Sequence, residues 1–170
     1  MDAIQTGLQA IYDLPLSVLI RENGVLFPAV ESLHVLSIVT VFGMILIVDL
    51  RLLGLASLRL NARRMNSALV PVAIIAFGLA ILTGGLMFMS NAVAYAANLQ
   101  FLLKMGVIVL AGINMMVLHA ITEKQFAGWE IQTPPPFPVR LAGAISLLLW
   151  VAVIFLGRWI GFTLQVGPPM

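Results

Sequence analysis

Four long apolar stretches, near residues 29–50, 69–90, 101–121 and 139–161, constrain this chain more than any other feature. Each has about the 20 residues a helix needs to cross roughly 30 Å of hydrocarbon. In lipid no water satisfies backbone N–H and C=O groups, so a crossing segment must close its hydrogen bonds within itself. Each stretch is therefore expected to be an α-helix. Of the 170 residues, 61% are hydrophobic and 9% charged, with a mean hydropathy of +1.08, far from a soluble domain. The fold class expected is all-α and integral to the membrane: a four-helix transmembrane bundle over residues 28–165.

The prolines punctuate these helices. Pro28 and Pro71 suit first-turn positions, where a missing N–H costs nothing, and the run Pro134 to Pro138 in PPPFP launches the last helix. Residues 1–27 place Ile4, Leu8, Ile11, Leu16 and Leu19 at helix-like intervals, broken around Pro15. They are expected to form an interfacial amphipathic segment of one or two short helices, or else a plug packed on the bundle. No Lys or Arg precedes Arg21, so the charged start of a signal peptide is missing and the chain reads as mature.

Charge sets the expected orientation. Arg51, Arg59, Arg63, Arg64, Lys124 and Arg140 flank two connections, against Arg21, Lys104 and Arg158 on the other side. This bias puts those connections in the cytoplasm and both termini in the periplasm of a bacterial inner membrane. Trp129 and Trp159 suit interfacial anchoring. The basic residues are scattered at a net charge of +2, which argues against nucleic acid as a partner. The absence of Cys excludes disulfides and thiolate metal sites. Hydrolase motifs such as HExxH are also missing.

Chemistry therefore rests on the few ionisable groups inside the spans. A charge at mid-bilayer costs about 2.5–3.5 kcal/mol on insertion scales, so such groups usually face the bundle interior. Glu31 and His34 share one face of the first span at i, i+3. Asp49 follows His34 by fifteen residues, about 60° round the helix and roughly 22 Å deeper. Lys104 and His119 repeat that spacing in the third span. Two layers are expected: an outer one of Glu31, His34, Lys104 and Arg158 with Met87 and Met89, and an inner one of Asp49, Arg51 and His119 with Glu123 one turn on.

The layers decide against one haem held between His34 and His119. Two axial nitrogens on one iron lie about 4 Å apart, whereas these residues differ in depth by about 20 Å. What remains is a haem b on His34, with Met87, Met89, Lys104 or nothing opposite, or a second metal site on His119. Lys104 and Arg158 suit haem propionates. Against these stand plainer roles: His34 bonded to Glu31 or to a neighbouring helix, Lys104 snorkelling outward, Arg51 marking the cytoplasmic edge, and the methionines packing. Asp49 with His119 reads either as a register-fixing pair or as a relay for protons or metal ions. Gly78, Gly84, Gly85, Gly106 and Gly112 allow close helix approach, or the approach of a flat macrocycle.

FPAVESLHV, VDLRLLG, TGGLMF, the Tyr95 and Asn98 connection, and FLLKMGVIVLAGINMMVLH together resemble an uncharacterised bacterial family of four-helix inner-membrane proteins, a domain of unknown function. The resemblance covers residues 27–121 and implies fold and location. His34, Arg51 and Lys104 also resemble, in kind and order, residues of the HemJ-type protoporphyrinogen oxidases, four-helix membrane proteins that bind haem b. A looser resemblance is to CopD-type copper-resistance proteins. The functional expectation is a haem b protein of electron transfer, working with quinone or a periplasmic partner. The alternatives are an accessory subunit among other membrane subunits or copies of itself, and a metal- or proton-coupled transporter of small solutes.

Overall fold

The computed structural model describes residues 3–55, 62–125 and 135–164, with side chains over 3–55, 69–120 and 135–164. Every element among them is helical: α1 (Ala3–Tyr12), α2 (Pro15–Glu22), α3 (Leu26–Leu52), α4 (Ala62–Ser90), α5 (Ala92–Ala97), α6 (Leu99–Gln125) and α7 (Phe137–Thr163). Four segments are long and apolar enough to cross a membrane: Leu26–Leu52, Leu69–Ser90, Leu99–Ala120 and Phe137–Thr163. The expected spans thus hold to within a few residues. Arg59 and Trp129 lie outside the described residues, and for Arg63, Arg64, Glu123 and Lys124 only the backbone is described.

Local chemistry sets the boundaries. α3 stops at Gly54, whose φ of 78° is the left-handed conformation that glycine reaches without strain. There Leu55 N–H donates to Leu50 C=O at 2.9 Å and Gly54 N–H to Arg51 C=O at 2.9 Å, the paired bonds of a Schellman end. Pro136 caps α7 and Pro138 fills its first turn, as the PPPFP run predicts. Pro28 likewise falls in the first turn of α3. Pro71 departs from expectation, because α4 begins at Ala62 and carries this proline inside the helix. The proline withholds the N–H that the carbonyl four residues earlier would accept.

The four long helices pack in the order α4, α3, α7, α6, as two antiparallel hairpins joined along α3 and α7. Among the described residues, α4 and α6 meet only through side chains, chiefly Phe88 stacked on Phe101 with centroids 5.5 Å apart. Phe77 of α4 reaches across to Trp150 of α7, edge to face at 6.4 Å. The buried positions are mostly small, Ala76, Ala80, Ala111, Ala142, Val41 and Val153, while leucines, isoleucines and phenylalanines point outward. This is the packing expected in lipid, where backbone approach rather than apolar burial holds helices together.

Residues 3–22 fold as two helices broken before Pro15, on the outer end of the bundle. Ser17, fully buried, donates to Ile11 C=O at 2.7 Å. Arg21 donates to Tyr12 C=O and to Ser90 C=O, each at 3.2 Å, and its guanidinium lies 3.9 Å above the Tyr12 ring. One cation thereby closes the carbonyl ends of α1 and α4 together. α1 itself buries no residue.

Candidate functional site

The site begins with a histidine that has been given a seat. His34 projects from α3 toward α4, where its Nδ1 lies 3.0 Å from Thr83 Oγ1. Thr83 hydroxyl donates to Leu79 C=O at 2.7 Å. A hydroxyl has one proton, so toward the imidazole its oxygen accepts, which places the ring proton on Nδ1 and the lone pair on Nε2. Gly84 completes the seat: a Cβ there would stand 2.9 Å from His34 Cε1. The glycine is required by the ring lying against it, and Thr83 is buried beneath.

Lys104 comes from α6 on the far side of the bundle. Its Nζ, Cε and Cδ would lie 3.5, 3.7 and 3.9 Å from a Cβ on Gly157 of α7, so the side chain runs along a glycine surface. Its ammonium is within electrostatic range of His34. Counted along their helices at 1.5 Å per residue, His34, Thr83, Lys104 and Gly157 all sit roughly 8–12 Å inside the outer ends. Of the residues expected in the outer layer, His34 and Lys104 thus lie at a similar depth.

Above it lies an aromatic roof. Phe88, Tyr95 and Phe101 contact one another, with Tyr95 meeting Phe101 edge to face at 5.4 Å. Burial, and then the nearby Glu31 carboxylate, push the Tyr95 phenol above its ordinary pKa. Asn98 locks the corner: its Oδ1 accepts from Phe101 N–H at 3.0 Å, and its Nδ2 donates to Thr163 Oγ1 at 3.0 Å. The N-terminus of α6 is thereby tied to the end of α7.

Other residues fall away from this group. Glu31 is exposed one turn above His34. Arg158 is exposed on α7, with its guanidinium 5.3 Å from the Phe162 ring. Met87, four residues after Thr83, shares the Thr83 face of α4, whereas Met89 is turned about 120° from it. At the inner end, Asp49 and Arg51 are both buried, at 3% and 6% exposure. Asp49 is hydrogen-bonded by Ser146 of α7, and His119 occupies an exposed position on α6. Asn114 donates to Ala142 C=O at 3.0 Å and joins α6 to α7 nearby.

Sequence reading passed over Thr83, Ser146, Asn98 and Asn114 as partners. Their signal was present, since each is an isolated hydrogen-bonding group in or beside an apolar span. The described residues contain no group of three or more His, Cys, Asp or Glu able to hold a bare metal ion. A porphyrin brings four nitrogens of its own and asks the protein for one or two ligands, so the chemistry of a single histidine tethered at Nδ1 is compatible with that group.

No curated protein and no solved structure matches the chain. Comparison with known families matches residues 18–163 to a family of unknown function, DUF6644. Since that match takes in all four long helices and the whole His34 level, the chain belongs to this family.

Proposed function

We propose that this protein binds a haem b through His34 Nε2 near the outer face of a bacterial inner membrane, both termini being periplasmic, and serves electron transfer with quinone or a periplasmic partner. The observation that carries this reading is the tether of His34 Nδ1 to Thr83. Metal-ligating histidines commonly donate their second ring N–H in this way, which fixes the tautomer and aims the ligating nitrogen. The order of His34, Arg51 and Lys104, which resembles that in HemJ-type proteins, adds support.

Bound haem supplies one-electron chemistry. The chain's own residues do the rest: Thr83 and Gly84 orient the imidazole, Lys104 offers a cation to an acidic propionate, and the Phe88, Tyr95 and Phe101 roof limits water from the outer side. Of the two methionines, Met87 shares the Thr83 face of α4 and is the one that would serve as a second ligand were haem bound. Absorption spectra of protein purified from haem-replete cells, oxidised and dithionite-reduced, test this. A Soret band lost in His34→Ala and kept in His119→Ala is expected; colourless wild-type protein overturns the reading.

A further inference from the structure

α3 and α7 approach closely at the inner end. A Cβ on Gly143 would lie 2.9 Å from Leu52 Cβ and 3.3 Å from the Asp49 carbonyl oxygen. Asp49 places its carboxyl group in this seam, 3% exposed and hydrogen-bonded by the Ser146 hydroxyl. Its second oxygen, Oδ2, is buried without a hydrogen-bond partner among the described residues. An ionised carboxylate accepts about four hydrogen bonds, and leaving one unpaired in low dielectric is expensive. Oδ2 therefore calls for a cation or a proton.

The surroundings decide between them. On α3 itself Arg51 follows two residues on, which turns it about 160° away round the helix. From α7 the nearest ionisable residue is Arg140, exposed and six positions before Ser146. The described side chains of α4, from Leu69 outward, contribute no titratable group, and His119 of α6 is exposed. Resident metal cations are usually held with the help of several carboxylates, and the described residues hold no group of three or more His, Cys, Asp or Glu. A proton needs only Oδ2.

We propose that Asp49 is a proton-binding site, standing in the membrane as the neutral acid with its proton on Oδ2 and exchanging it with the aqueous phase at the inner end of the bundle. Leu52, the last residue of α3, is three positions away, or about 4.5 Å along the axis. Losing the proton puts a charge into this close helix seam, so proton occupancy and the packing of α3 on α7 are linked. The site is separate from His34, which lies about 22 Å toward the opposite face.

Infrared spectroscopy of the protein in lipid vesicles tests it. Wild-type protein at neutral pH is expected to show the C=O stretch of a protonated carboxylic acid. That band should shift in D2O, move in Ser146→Ala, vanish in Asp49→Asn and persist in His34→Ala. No such band, or one unchanged by Asp49→Asn, overturns the proposal. Asparagine has the shape of the neutral acid, so Asp49→Asn is also expected to melt with wild-type protein. A destabilisation as large as that of Asp49→Ala means an ionised, paired carboxylate and equally overturns it.

Discussion

At the scale of single residues, the candidate site depends on two uncharged residues, Thr83 and Gly84. Thr83→Val keeps the volume but removes the oxygen that accepts from His34 Nδ1. If haem is bound as proposed, this variant is expected to weaken haem retention by roughly 10–100-fold, the usual effect of losing a partner behind a metal ligand. Titration of haem into the apoprotein measures it. Gly84→Ala forces a methyl to within 2.9 Å of the imidazole; the expected cost is about 1–3 kcal/mol of stability, read from thermal melts, together with poorer haem retention. The position of His34 in its span was legible from sequence, because an ionisable group there has few roles to choose from. The seat was not legible, since a threonine followed by glycine in an apolar helix reads equally as a packing groove until the facing helix is known.

At the scale of elements, packing rests on small residues and isolated polar bonds. Asn114→Leu removes an α6-to-α7 hydrogen bond in the lower half of that hairpin. Such bonds average about 0.6 kcal/mol in membranes and reach roughly 1.7, and a loss in that range is expected in detergent unfolding titrations. The spans were plain in the sequence because hydropathy over 20 residues leaves little ambiguity. α5 was not: its six residues, AVAYAA, are too few for a periodic signal. Pro71 misled for a related reason, since a proline often opens a helix but does not forbid an earlier start. The pairing of Asp49 with Ser146 rather than with the neighbourhood of His119 follows from α3 lying against α7, a choice of neighbour that no spacing within one helix contains.

At the scale of the whole molecule, a chain without cysteine is ready for topology mapping. Single substitutions Asp13→Cys, between α1 and α2, and Leu55→Cys, beyond α3, fall at exposed positions at opposite ends of the bundle. With an impermeant thiol reagent, the first is expected to label from the periplasm and the second only after the membrane is opened. The order α4, α3, α7, α6 also has a meaning in time. The hairpin that leaves the ribosome first holds Asp49 and Leu52, while Ser146 and the glycine that seats Leu52 lie in the fourth span and are made after the other three. Until then the Asp49 side chain lacks its partner. A fragment of residues 1–97 is expected to be degraded quickly, and co-expression of residues 98–170 to extend its lifetime, as a pulse-chase experiment would show. The fourth span supplies what the first hairpin lacks.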